Sequence, residues 1–426
     1  MRRITPALAL TASVALFAAA CGGGDGGDTD TDTGDGDTGS TEAPVRGDEE
    51  LVIWTDSLKL DAVRAVADAF AEENGITVGV QALTNTREAF ITANGAGNGP
   101  DVVVGAHDWL GQLIQNGSID PLQLSPADLE AYSETAVQAS TYDGQLYALP
   151  YGVEALALYC NTEFAPDEYA TLDEAIAAGQ AAVDAGDVEV QLSLTVGQQG
   201  DPYHMQPLYT SAGGYLFGRT AEGDYDPNDL GVGQPGSIQA AEKIYELGEA
   251  EQNILRRSVS ADNTIALFAE GNAACLISGP WALADVREGL GEDGFNVQPI
   301  PPFEGGDPAE PFMGAQTFMV ASNGLNKTFA QEFVTRGANT EEAMQTMYEE
   351  ADLPPAMLAI REAVDDENIL TFGTAADEGA PMPAIPAMAE VWTPLGQAYA
   401  AIIGGEDPEA TITQAGETIA SAIAGS

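Results

Sequence analysis

The sequence predicts an α/β protein with helix-covered sheets. Three observations carry this: a β-α-β-α-β alternation over residues 50–104, three consecutive valines without polar alternation, and a second stretch of strands and helices over roughly 160–310. ELVIW at 50–54 reads as a strand. LDAVRAVADAFAEENG follows, with Leu60, Val63, Ala67 and Phe70 at helical spacing, and Asn74-Gly75 stops it. Ile76, Val78 and Val80 alternate as a strand, and residues 85–95 form a helix. Val102 to Val104 then reads as a strand covered on both faces, as in a parallel sheet flanked by helices. Ligands of such sheets sit beyond the carboxyl ends of the strands, where Asp108 and Trp109 follow.

After Trp109 a short helix runs to Asn116-Gly117, and QLYALPYGVEALALYCN contains a strand leaving the first region. The carboxylate of Glu154 is out of place among those apolar neighbours. A helix is expected at 237–249, and AACLISGPWAL reads as strand, turn and helix start, with Pro280 fitting the first helical turn. GAQTFMVAS at 314–322 is another strand, and helical patterns occupy 386–403 and 409–424. No internal repeat is visible.

With 426 residues, the chain is long enough for two domains of ordinary size, and 44% hydrophobic content can fill their cores. Its beginning is different. Arg2 and Arg3, an apolar stretch from Ala7 to Phe17 and Ala18-Ala19-Ala20 before Cys21 have the anatomy of an export signal, too short for a lasting membrane span. Small residues before a cysteine resemble the bacterial lipoprotein signal, in which that cysteine is lipidated, although Ala18 stands where leucine is usual. Residues 22–49 are largely Gly, Asp and Thr and read as a solvated acidic tether; a glycosylated stalk or a calcium-binding tract are the alternatives, the irregular spacing arguing against a calcium loop.

The net charge is −53, and about −47 of it belongs to residues 50 onward. Such a surface repels nucleic acid, favours solubility and suits a salty habitat. Only three lysines are present, which argues against a polyanion partner. Cys160 and Cys275 lie in apolar strand-like runs, where either a disulfide or two small buried hydrophobes fits an exported protein. Two histidines, His107 and His204, without companion cysteines make no dedicated zinc site.

Taken singly, the candidate ligand residues have plain structural readings. Asp108 between a strand and a helix reads as an N-cap. Glu154 reads as half of a buried ion pair. Trp54, Trp109, Trp281 and Trp392 read as core.

In order along the chain, GPDVVVGAHDWLGQLIQNGSI, YGVEALALYCN, ISGPWAL and APMPAIPAMAEVW resemble the maltose and maltodextrin-binding proteins of bacterial ABC importers, and the similarity covers nearly everything from Leu51 onward. The resemblance implies a two-lobed, type II-like periplasmic-binding-protein fold with the ligand in a cleft between lobes joined by a hinge. Residues 1–20 would be the signal peptide and 21–49 the lipidated cysteine and tether. Lobe 1 would combine 50–152 with 315–364, and lobe 2 would combine 153–314 with 365–426. It further implies an α-glucan oligosaccharide as ligand and the permease subunits of an ABC transporter as partner. No cofactor, metal or enzyme activity is implied. A monomer on the extracellular face of the bacterial cytoplasmic membrane, held by its lipid anchor alone, is expected.

Carried over by that resemblance, Asp108 in AHD and Glu154 in VEAL match carboxylates that accept hydrogen bonds from sugar hydroxyls, for which two acceptor oxygens are suited. Trp281 in GPW, Trp392 after MPAIP and Tyr203 in DPY match aromatics that lie against pyranose rings, burying their C–H faces at little entropic cost. Lys59 and Asp201 match further polar contacts. The chain also departs from the family: a tryptophan usual just before AHD is here Gly105, and the basic residue just after it is Trp109. Trp109 stands close enough to take over the lost stacking role, and Gly105 equally suits a cleft widened for another α-linked disaccharide. A secreted glycoside hydrolase with Asp108 and Glu154 as paired carboxylates is the rival from another class. A binding protein for a non-sugar solute is the third reading.

Overall fold

The computed structural model describes residues 46–220, 223–351 and 353–425. The export signal, Cys21 and most of the acidic tether therefore lie outside the described residues. The first three strands, Leu51–Thr55, Val78–Ala82 and Val102–Ala106, pair in parallel around Leu51–Thr55, and the helices Leu60–Asn74 and Thr86–Gly95 connect them. Local patterning accounts for this. The 60–74 helix buries Val63, Val66, Ala67 and Phe70 on one stripe, and all five residues of the first strand are buried. Trp54 is fully buried, as its place in that strand suggests, and its indole N–H donates to Gln81 at 2.6 Å.

Beyond these strands the sheet departs from the parallel arrangement that the valine run suggests. The neighbour of Val102–Ala106 on its other side is the ten-residue strand Phe312–Ala321, which runs antiparallel to it. Ala148–Glu154 is antiparallel to the same long strand. Every residue of Phe312–Ala321 is buried. A strand covered on both faces shows the same unbroken apolar run whatever the direction of its neighbours, so the run reports burial and not polarity.

A second, four-stranded sheet follows the order 295–298, 157–161, 273–278, 190–194. It too is mixed: Ala273–Ser278 is parallel to Val190–Leu194 and antiparallel to Ala157–Asn161. Cys160 and Cys275 face one another across that antiparallel pair and are disulfide-bonded, with 115 residues separating them in sequence. The helices Pro202–Ser211, Pro235–Leu247, Trp392–Ile403 and Pro408–Gly425 share one apolar cluster with this sheet. Two sheets, each with its own helices, give the two-lobed α/β fold. Among the described residues, the stretches 154–157 and 298–312 lead directly from strands of one sheet to strands of the other, and the chain crosses again after Ala380–Pro381, which pairs with the first sheet, into the helices packed on the second.

Where the description begins, Arg46 is already packed. Its guanidinium donates to Asp101 at 2.7 Å and to the carbonyl of Gly99, and Asp101, fully buried, also accepts from the backbone N–H of Val52 and Asn326. Arg46, which composition assigns to the tether, thus fastens the tether's end to the first sheet.

Candidate functional site

Four turns at the carboxyl ends of strands supply most of the candidate residues. The first follows Leu51–Thr55. Asp56 accepts the backbone N–H groups of Leu58 and Lys59 at 3.0 and 3.2 Å, and its second oxygen holds the Lys59 ammonium. This Asx-type turn fixes Lys59 immediately before the 60–74 helix.

The second is the 3-10 turn His107–Trp109 after Val102–Ala106. His107 is buried. Its Nδ1 accepts the N–H of Ala315 at 3.0 Å and its Nε2 lies 3.1 Å from the carbonyl of Met382, so the ring is the neutral Nε2–H tautomer. Burial pulls its pKa below 6.5 against the pull of Asp108. The imidazole thereby ties the turn to the long crossing strand. Asp108 makes no capping bond to either helical turn, which corrects the N-cap reading. It lies 4.0 Å from Arg87, and burial raises its pKa against the opposing influence of His107 and Arg87. The Trp109 ring lies directly on Gly105, where an added Cβ would come within 2.1 Å of ring carbon. The glycine and the tryptophan are therefore one feature: the ring occupies the space a side chain at 105 would need.

Glu154 ends the strand Ala148–Glu154 and accepts from the amide of Gln316 at 3.1 Å. Burial raises its pKa above 4.5; Gln316 and Lys59 act in the opposite sense, and Asp108 adds to the rise. It is not the buried ion pair that its surroundings suggest, because its bonded partner is a neutral amide.

The fourth turn is Pro280–Ala282 after Ala273–Ser278. Trp281 lies over Gly279 as Trp109 lies over Gly105, and it is 43% exposed, which rules out the core reading. From it a row of aromatic rings runs on: Trp281 to Tyr203 at 6.3 Å, Tyr203 to Phe312 at 6.0 Å, and Phe312 to Trp392 at 5.9 Å. Trp392 begins its helix and is half-buried against the second core.

Asp201 caps the helix Pro202–Ser211, accepting the N–H of His204 at 3.0 Å, and its Oδ2 lies 3.0 Å from His204 Nδ1. Burial would raise its pKa, but the contacts with His204 and the backbone outweigh this and hold it below 3.8. Burial pushes the Tyr203 hydroxyl far above its ordinary range, and the charges of Glu154, Asp201 and Asp108 push it further.

The structure brings Lys59, Glu154 and Trp281 together around a cavity of about 490 Å³. Asp201, Tyr203 and Trp392 line a second, of about 390 Å³, and the Tyr203 ring there lies 6.3 Å from the Trp281 ring of the first. Asp108 and Trp109 line neither, although the charge of Asp108 reaches both Glu154 and Tyr203. Another cavity of about 450 Å³, between Tyr142, Arg219, Tyr225 and Met382, holds none of the candidates. Sequence reasoning missed Gln316, Phe312 and Arg87 as site residues. A lone glutamine in the apolar run GAQTFMVA was a usable signal for the first; Arg87 carried none.

Chemically, this cleft combines charged acceptors, an ammonium and a half-exposed aromatic platform, between two sheets joined by few strands. It defines a binding protein that holds a polar ligand between two lobes. Residues 65–370 match the family of bacterial extracellular solute-binding proteins, and the chain belongs to that family. Among its relatives, the galactooligosaccharide-binding protein of Bacillus subtilis (strain 168) is 28% identical over 96% of this chain and 94% of its own length. The maltodextrin-binding protein of the same organism is 28% identical over 82% of this chain and 83% of its own. The maltotriose-binding protein of Pyrococcus abyssi is 24% identical over 81% and 76%.

Proposed function

We propose that the protein captures α-linked gluco-oligosaccharides of the maltose and maltodextrin type outside the cell and delivers them, by closure of its two lobes, to the permease subunits of an ABC transporter. The observation that carries this is the exposed Trp281 platform beside Glu154 and Lys59, continued by Tyr203 and Trp392. In this reading Asp108, Glu154 and Asp201 accept hydroxyl protons, and Trp281, Tyr203 and Trp392 take C–H faces. In the same reading, lobe 1 combines 50–152 with 315–364 and lobe 2 combines 153–314 with 365–426. The relatives' names, which speak of galactooligosaccharide, maltodextrin and maltooligosaccharide, agree with a sugar ligand. The test is a thermal-shift screen over maltose, maltotriose, longer dextrins, trehalose and cyclodextrin, with reducing sugar measured in parallel. An upward shift without release of reducing ends supports the reading, since ligand held only by the folded state raises stability by mass action. Release of reducing ends would instead establish the hydrolase.

The raised pKa of Glu154 gives the site a pH dependence of definite sign. Burial disfavours its charged form, and sugar hydroxyls donating to it favour that form. Affinity should therefore fall as the pH is lowered through the folded-state pKa, which lies above 4.5. Glu154→Gln should remove this dependence and weaken maltotriose binding by about tenfold, about 1.4 kcal/mol. Because the raised pKa means a charge whose stabilising protonation is lost at neutral pH, the ligand-free variant should melt no lower than wild type at pH 7. Calorimetry and melting curves between about pH 4 and pH 8 check both; an unaltered pH profile in the variant removes Glu154 from the site.

The same reading places the protein on the outer face of the cytoplasmic membrane through lipid on Cys21. No helix among the described residues is long and apolar enough to cross a membrane. Cys21→Ala should release the protein into the medium, and retention in the membrane fraction would count against the anchor.

A further inference from the structure

Gln316 is 8% exposed, in the middle of the ten-residue strand Phe312–Ala321. Its backbone pairs with Ala106 on one side and with Gly152 on the other. Directly after it the pairing with Ala148–Glu154 slips by one residue, Thr317 facing Pro150, so the ladder is bulged at this position. Bulges recur beside functional sites because they re-aim a side chain. Here the side chain lines the cavity of about 490 Å³ together with Lys59, Glu154 and Trp281. An ionised carboxylate only accepts, so the amide meets Glu154 through its Nε2, at 3.1 Å, and its carbonyl is turned elsewhere. The Oε1 atom is buried, and among the described residues no donor reaches it. A buried carbonyl without a donor costs the free protein stability and calls for an explanation. The bonded pair leaves a second acceptor as well, since Gln316 is the one hydrogen-bond donor to Glu154 among the described residues and takes its Oε1.

We infer that Gln316 is a specificity-determining residue whose Oε1 accepts a ligand hydroxyl beside the one taken by Oε2 of Glu154, so that the pair reads a vicinal diol. The inference rests on the sugar reading above and deepens it by naming the donor pattern that the ligand must present. One ring hydroxyl donates to the carbonyl of Gln316 and supplies its missing partner; the neighbouring hydroxyl donates to the carboxylate. A ligand that turns an acceptor, or no polar group, to that place leaves the carbonyl unpaired in the occupied cleft and is rejected. Glutamine suits this position and glutamate does not, because a second carboxylate would repel Glu154 and could not donate to it.

The test is a cycle of protein and ligand changes read by titration calorimetry. Wild type, Gln316→Met, Gln316→Leu and Glu154→Met are each titrated with maltose and with maltoses carrying fluorine in place of one hydroxyl at a time. Fluorine fits where the hydroxyl stood and cannot donate. In wild type at least one such replacement should cost about tenfold or more, and Glu154→Met should keep the full penalty at that position. In both Gln316 variants the same replacement should cost about threefold or less. These variants give up an unpaired carbonyl along with one hydrogen bond, so their ligand-free melting should stay close to that of wild type. If Gln316 only steadies Glu154, the penalties that vanish in its variants are the ones that vanish in Glu154→Met, and the assignment is overturned. A wild type in which no replacement costs more than about threefold overturns it without any variant. Both results leave the sugar reading standing. Absence of heat with maltose and with the wider screen overturns the two together.

Discussion

Replacing Cys160 and Cys275 together by alanine is expected to lower the unfolding free energy by about 4 to 5 kcal/mol, the largest effect of any change considered for this chain. The magnitude follows from the loop that the bond closes. With the two cysteines 115 positions apart in sequence, the unfolded chain loses a large share of its freedom when they are joined. The fold is otherwise indifferent to the bond's chemistry. Both side chains are buried between strands already paired in register, so the reduced protein keeps the same sheet. Neither cysteine lines the ligand cavities, and sugar affinity of the folded variant should stay within a factor of about two. Denaturant titration gives the stability, and a thiol count on the unfolded, unreduced Cys21→Ser protein checks the premise. Two reactive thiols there would exclude the bond and with it the predicted loss.

Local pattern made half of the fold legible. The 60–74 helix, the valine strand and the strand-turn-helix at AACLISGPWAL all declare themselves within a dozen residues, because burial imposes its period on neighbouring positions. What crosses the chain was hidden. The direction of Phe312–Ala321 beside Val102–Ala106 is set by where the chain returns, some two hundred residues later, and leaves no mark on either run. Gln316 and Glu154 are 162 residues apart, so their bond was equally unreadable. Asp201 and Asp108 show how a residue type underdetermines its role. Asp108 lies inside the 3-10 turn 107–109 and caps nothing, whereas Asp201, followed by proline at the first helical position, takes the cap. The sequence motif at Gly105 and Trp109 read as a departure from its family, and packing explains it as a single exchange: the missing side chain at 105 makes room for the ring from 109.

Trp281→Ala is expected to weaken maltotriose binding by roughly ten- to a hundredfold, about 1.4 to 2.8 kcal/mol. The ring lines the cavity of about 490 Å³, lies 6.3 Å from the Tyr203 ring, and is 43% exposed. Removing it exposes about 100 Å² of apolar contact with a pyranose, near 2.5 kcal/mol by area, and water entering the gap offsets part of that. The consequence for folding should be smaller. A tryptophan deleted from a packed core costs about 3 to 5 kcal/mol. Here the side chain is 43% exposed, rests on the backbone of Gly279, and has the Tyr203 and His204 rings at 6.3 and 6.4 Å. Ligand-free stability should therefore drop by clearly less than a core deletion, and the two readouts move in opposite proportion to those of a structural residue. Calorimetry with maltotriose and denaturant unfolding without it distinguish the roles. Unchanged affinity combined with a loss of several kcal/mol in the ligand-free protein would mean that the Trp281 ring serves the fold and that the sugar platform lies elsewhere along the aromatic row, at Tyr203 or Trp392.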